Sequence, residues 1–361
     1  MFRSYKLLFY VIPFSFLLGI AWGLKKLEKQ SHLPPDPTVH IKILAKKGDL
    51  PDSFIKEFEK KNRIQIKHFI AKDDRDLLQL ALTQDTDIIF SPSYLFPQLI
   101  KSNRLRKLSR GKLQNYDSLS SDFLNLPFDV TNQFSIPISW NINGFLVKSH
   151  KIESSKIDLN ELSSLKEMKN RISILSNPIE IYAQMLNQNL LVEDWIDQQQ
   201  EDLVQQSLKK YLSQIHYSNS PVEKLVNDDQ YWIVQAPIGE AYATLSKISG
   251  WDYRFSKFKS SFNTTSLGVS QSSKSEDKIY QFINQLTESE MAHKYAFYTN
   301  TPTSIKELKN LPKWLQAEFI RTIQLNSFSL LTAQRALDTT WMKAVALEAP
   351  HLLEPQQTLN Q

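Results

Sequence analysis

The sequence predicts an α/β fold arranged as two lobes, preceded by an N-terminal hydrophobic helix, and three observations carry that prediction. Strand-like and helix-like hydrophobic periods alternate from Thr38 onward, the pattern of a mostly parallel sheet covered by helices. The chain has 361 residues, 41% of them apolar, which suits two lobes better than one compact body. An 18-residue apolar run, Leu7 to Leu24, stands between basic residues ahead of a proline-rich break.

The elements follow in order. Val39, Ile41 and Ile43 alternate as a first strand. Pro51 to Lys60 reads as a helix with Phe54, Ile55 and Phe58 on one face. Ile64 to Ile70 is a second strand, and Leu77 to Leu82 sits in a second helix. Asp87 to Phe90 is a short buried strand, after which Ser93 is placed to cap the next helix. Ligands of parallel α/β sheets bind beyond the carboxyl ends of the strands, so Ala45 to Leu50 and Ser91 to Tyr94 are the loops of interest.

A second α/β unit spans about Asn143 to Ser246, with strands at Ile172 to Leu175 and Tyr231 to Ala236 and a helix opened by Asn177. A strand near Thr265 to Val269 and helices at Ser275 to Leu286 and Glu288 to Phe297 come next, and Pro312 to Ala349 reads as amphipathic helices.

The N-terminal run explains the charge. Arg3, Lys6, Lys25, Lys26 and Lys29 against Glu28 contribute +4 of the net +5, leaving +1 for the rest of the chain. Basic residues flanking an apolar helix orient it in a membrane, and no basic stripe remains for a nucleic acid. At 1.5 Å per residue the run covers about 27 Å, enough for a thin bilayer core. Ala21-Trp22-Gly23 offers little to a signal peptidase, which favours a retained anchor at 1–29 over a cleaved signal. Pro34, Pro35 and Pro37 make 30–38 a stiff spacer.

Catalytic chemistry is not signalled. There is no cysteine, which excludes disulfides, thiolate nucleophiles and a lipoprotein attachment. None of the seven histidines pairs with another ligand at metal-binding spacing, and no phosphate-binding or nucleophile-elbow motif occurs. Asp73-Asp74 and Asp228-Asp229 adjoin helices, where capping explains them. No enzyme activity, cofactor or metal is expected.

The stretch from Gly111 to Val147 carries a resemblance. Lys112, Leu113 and Asn115, then Pro127-Phe128-Asp129, then Phe134-Ser135-Ile136-Pro137 and Trp140 match, in order and spacing, the spermidine/putrescine-binding periplasmic proteins of bacterial ABC importers. Ile55 to Lys60, Arg63 to Ile66, Asp87 to Leu108, Phe282 to Leu286 and Thr299 to Thr303 are similar to further segments of that family, so the resemblance runs from about Val39 to Leu311. It implies a type II periplasmic binding protein fold, two α/β lobes with crossing hinge segments that close on a ligand. The expected division is lobe 1 at 39–140 and 248–305, lobe 2 at 141–247, and C-terminal helices at 306–361 packing on the lobes.

A polyamine needs carboxylates for its ammonium groups and flat faces along its methylenes. Carried over position by position, the resemblance implies ligand-binding roles for nine residues. Lys46 and Asp49 stand where the family's first loop has a tryptophan and a tyrosine, and a lysine there repels a cation unless an acid neutralises it. Ser93 and Tyr94 form the second loop. Asn177 and Glu180 stand for an Asp-x-x-Glu pair, with Tyr217 as the next aromatic. Glu240 supplies an acid after the following strand, and Thr265 replaces a downstream acid. Glu180 and Glu240 also suit plain first-turn helix acids, Tyr94 suits packing in the helix it begins, and Trp140 between strands suits a core or hinge position.

The resemblance implies a small solute, polyamine or related, captured between the lobes and delivered to an inner-membrane permease by a periplasmic protein tethered through 7–24. A membrane-tethered sensor or scaffold that kept the fold but not the ligand is the alternative, and an enzyme on the same fold a third.

Overall fold

The computed structural model describes residues 40–322 and 339–350, apart from 63, 154–156, 188, 192–195, 197, 214, 219, 257–261 and 309. The expected membrane segment at 7–24 and the proline-rich spacer lie outside the described residues.

The first lobe begins as the hydrophobic periods require. β1 (His40–Lys46), α1 (Asp52–Asn62), β2 (Gln65–Ala71), α2 (Asp74–Thr83) and β3 (Ile88–Pro92) follow one another. β1 pairs in parallel with β2 on one side and β3 on the other. Helix α1 buries Phe54, Ile55 and Phe58, and it places Asp52 in its first turn and Lys60 and Lys61 in its last, complementing the helix dipole. Ile41 and Ile43 join the cluster of Phe54 and Phe58, whereas Leu44 joins that of Leu77 and Ala81. The sheet is therefore covered on both faces, as crossover connections demand. α3 (Phe96–Lys101) extends the second cover.

β4 (Ile136–Lys148) has 13 residues and serves two sheets. Its first half pairs with β9 (Phe262–Val269), up to Ile142 opposite Phe262. Its second half pairs with β7 (Ile233–Pro237) from Asn143 opposite Pro237. The second lobe also contains α4 (Leu159–Ser164), β5 (Ile172–Leu175), α5 (Pro178–Asn187), α6 (Glu201–Leu212), β6 (His216–Ser218), α7 (Val222–Val226) and α8 (Ile238–Leu245). β8 (Trp251–Arg254), grouped with lobe 1 in the sequence reading, pairs with the second half of β4. The strand order is β2-β1-β3-β9-β4-β7-β5-β6, with β8 beside β4.

The expectation of a mostly parallel sheet needs correction. Pairings β1–β2, β1–β3, β5–β6 and β5–β7 are parallel, but β3–β9, β9–β4, β4–β7 and β4–β8 are antiparallel. The antiparallel pairs all involve β4 or β9, strands that carry the chain between lobes instead of completing a strand–helix–strand unit. Trp140 marks this passage. It is fully buried, with Phe123 stacked at 5.9 Å and Phe262 at 6.3 Å between ring centroids. It is a core residue at the passage between the lobes.

α9 (Glu276–Leu286) and α10 (Ser289–Thr299) pack on the first lobe through Phe282, Ile283 and Tyr295. Of the amphipathic helices expected over Pro312 to Ala349, residues 323–338 lie outside the described residues. Lys313–Leu315 and Ala317–Thr322 are short 3-10 turns, and α11 (Thr339–Glu348) is a helix that buries Trp341 edge-on to Tyr182 at 5.1 Å.

The motif around Pro127-Phe128-Asp129 has a structural cause. The Asp129 carboxylate, 5% exposed, accepts from the backbone N–H groups of Gln133, Phe134 and Ser135 at 2.8 to 2.9 Å and from the Ser135 hydroxyl at 2.9 Å. That knot fixes the entry of β4. Removing it strands buried donors, so Asp129→Ala is expected to lower the unfolding free energy by roughly 3 kcal/mol in denaturant titrations. A loss below about 1 kcal/mol contradicts this role.

Candidate ligand-binding cleft

A cleft of about 640 Å³ lies between the lobes, where the carboxyl ends of the parallel strands meet. Three successive strand–helix junctions of the first lobe build one wall. Lys46 ends β1, Asp74 opens α2, and Tyr94 follows β3 in a 3-10 turn at Ser93–Leu95. Lys46 Nζ lies 2.8 Å from Asp74 Oδ1, and the Tyr94 hydroxyl donates to Asp74 Oδ2. Burial disfavours the Lys46 ammonium, but Asp74 and Asp49 outweigh it and hold its pKa above the ordinary lysine value. Burial raises the Asp49 carboxyl, against the pull of Lys46. Burial and the Asp74 charge push Tyr94 well up, so it remains a phenol donor.

The opposite wall comes from the second lobe. Asn177 caps α5, its Oδ1 accepting from Ile179 N at 2.8 Å and Glu180 N at 3.4 Å. Glu180 is 5% exposed, and its Oε2 accepts from Gln235 Nε2 at 3.2 Å. A first-turn acid on a solvated helix face needs no such partner, so Glu180 is more than a dipole complement. Glu240, in the first turn of α8, is open to solvent at the cleft, where surrounding protein still raises its carboxyl pKa by desolvation. Asn141 and Asn143 of β4 and Thr265 of β9 line the base between the walls.

Seven of the nine sequence-predicted positions line this cleft: Lys46, Asp49, Tyr94, Asn177, Glu180, Glu240 and Thr265. Ser93 and Tyr217 do not. Ser93 is fully buried and its hydroxyl accepts from Thr264 N at 3.2 Å, which ties β3 to β9. Its expected capping role is not observed, since Pro92 holds the cap position without a side-chain bond. Tyr217 packs against the large hydrophobic cluster, and its neighbours Ser218 and Ser220 face the cleft instead.

Asp74 is the residue that sequence reasoning missed. The capping explanation of Asp73-Asp74 is right for Asp73, which accepts from Asp76 N at 2.9 Å. That same cap makes Asp74 the first helical residue, beside the carboxyl end of β1. Asn141, Asn143 and Asn300 were also missed, because a lone amide on a strand or at a helix end gives no periodic signal.

At formal charges the described residues of the cleft lining include four carboxylates, Asp49, Asp74, Glu180 and Glu240, against one ammonium, Lys46. Such a site attracts cations, and its acid closest to Lys46 already neutralises that lysine.

The lobes touch at the cleft edge. Asn300 ends α10 in the left-handed region at φ 52°, and its side-chain amide donates to Gly239 O at 2.7 Å. A Cβ on Gly239 would lie 2.0 Å from Asn300 O, so only glycine permits this approach. Gly239→Ala is expected to part the lobes, enlarging the radius of gyration in small-angle scattering and weakening ligand binding about tenfold or more. An alanine variant with unchanged scattering and affinity would show the contact to be incidental.

Comparison with known proteins agrees with this geometry. Residues 53–321 match the family model described as bacterial extracellular solute-binding protein. The spermidine/putrescine-binding periplasmic protein of Salmonella typhimurium is 21% identical over 263 residues, covering 70% of this chain and 74% of its own. A structure described as a spermidine/putrescine ABC transporter from Listeria monocytogenes superposes with a TM-score of 0.70 at 20% identity, covering 85% of this chain and 99% of the other. The spermidine/putrescine ABC transporter substrate-binding protein from Streptococcus pneumoniae gives 0.66 at 18% identity, covering 86% and 100%. These structures share the two-lobed type II fold. With most of its length matched to the family model, the chain belongs to the bacterial extracellular solute-binding proteins.

Proposed function

We propose that this protein is the solute-binding component of an ABC importer and that its cargo is a small organic cation of the polyamine class. The observation that carries the reading is the charge of the cleft: among the described residues four carboxylates face one ammonium, and that ammonium is paired with Asp74 at 2.8 Å. The names of the similar proteins, spermidine/putrescine-binding, point the same way. Asp49, Glu180 and Glu240 supply acceptors for ligand ammonium groups, and Tyr94 and Phe262 supply apolar faces for methylenes. Closure of the lobes buries the solute, and the closed form is the one a permease reads. The N-terminal segment 7–24 keeps the protein beside that permease on the periplasmic side of the membrane. Membership of a family of solute-binding proteins supports a binding role.

Calorimetric titration of the full chain in detergent with putrescine, spermidine, amino acids and inorganic anions tests the reading. Saturable binding of the amines alone is expected, and selective binding of anions would sink it. Glu180→Gln is expected to weaken amine binding about tenfold or more, because a buried charged acceptor is lost.

The pH dependence has a definite sign. Desolvation by the surrounding protein raises the carboxyl pKa values of Asp49 and of the solvent-open Glu240, and a bound cation favours their ionised forms. Binding therefore releases protons, and amine affinity falls as pH drops through that raised carboxylate range, by at most about tenfold per pH unit for each linked proton. Affinity that rises on acidification contradicts the assignment.

A further inference from the structure

We infer that Lys46 is a chain-borne substitute for one ligand ammonium and thereby sets how many charges the cleft accepts from its cargo, an inference that rests on the cationic reading above. A lysine side chain is a primary ammonium on a four-methylene stem, the same chemical group as the end of an aliphatic diamine. Here it projects from the end of β1 into the acid-lined wall. Its Nζ lies 2.8 Å from Asp74 Oδ1, with Asp49 and Asp73 as further negative neighbours. That is the environment a ligand ammonium would require.

The pairing occupies Asp74 on both sides: Oδ1 is ion-paired with Lys46, without a hydrogen bond among the described residues, and Oδ2 accepts from the Tyr94 hydroxyl. Asp49 differs in forming no ion pair among the described residues: its Oδ2 is buried and accepts no hydrogen bond there, and Lys46 acts on this carboxyl through its charge and its backbone. An amine that reaches across from Glu180 and Glu240 therefore ends at Asp49, and the position beside Asp74 is already filled from the protein side. A longer amine with one more charge finds no vacant acid there. Removing the Lys46 ammonium vacates that position without touching the opposite wall.

A purely structural tie between β1 and α2 would have another signature. Losing it would lower stability but would not change which amine is preferred. General electrostatics is a second rival, since deleting any nearby positive charge favours the more highly charged amine. Lys47 separates these cases, because it is exposed and lies outside the cleft lining while carrying the same charge.

The test is the ratio of spermidine to putrescine affinity in the full chain, measured by calorimetry. Lys46→Met is expected to raise that ratio about tenfold, the worth of one additional hydrogen bond to a charged group. Lys46→Gln, which keeps a donor for Asp74 while removing the charge, is expected to move it in the same direction and serves if the methionine variant does not fold. Lys47→Met is expected to leave the ratio within about twofold. An unchanged ratio in the Lys46 variants, or an equal rise in Lys47→Met, overturns the inference while amine binding itself stands. Failure of the unaltered protein to bind either amine overturns the cationic reading and this inference with it.

Discussion

One strand, β4, holds the molecule together, because a single run of 13 residues hydrogen-bonds in two sheets. Its first half belongs to the sheet of β1, β3 and β9 and its second half to that of β7, β5 and β8. The crossing is anchored by two unlike devices. Asp129 gathers three backbone donors and a hydroxyl at the strand's entry, and Trp140 fills the space at its middle with Phe123 and Phe262. A buried charged acceptor fixes direction, while aromatic packing fixes separation. The cleft exists because the lobes diverge from this one shared strand, with Asn141 and Asn143 at its base.

The site shows the usual conflict between stability and function. Asp49 carries a raised carboxyl pKa because burial opposes its charge, and surrounding protein desolvates the solvent-open Glu240 enough to raise its carboxyl too. A partly desolvated carboxylate costs free energy that an apolar residue would not, so folding alone does not favour an acid at Asp49. The Lys46 charge offsets part of that cost at Asp49, while the Asp74 carboxylate beside it adds to it. The close approach of Gly239 to Asn300 similarly exchanges side-chain choice for contact between the lobes.

The segments whose hydrophobic period is strong were legible in sequence: α1 through Phe54 and Phe58, β5 at Ile172–Leu175 and α9 around Phe282 each stand within a few residues of expectation. Sheet direction was less legible. A strand followed by a helix looks alike whether its partner runs parallel or antiparallel, so β9 and β4 carried no mark of their reversed pairing. The cleft positions divide similarly. Asn177 and Glu180 share a helix turn, so their fixed spacing places both on one wall. Ser93 and Tyr217 neighbour true lining residues in sequence, yet alternation along the chain turns their side chains away.

By itself the sequence determined the α/β alternation, the carboxyl-end loops that had to meet and the motif that marks the family. These are local or one-dimensional properties, set by period, turn chemistry and order along the chain. Only the tertiary structure decided the electrostatic meaning of Lys46. In one dimension it is a cation at a position where the family resemblance implies an aromatic residue. In three, Asp74 arrives from another junction 28 residues later and neutralises it at 2.8 Å. Charge in a site is a sum over neighbours in space, and no reading along the chain supplies that sum.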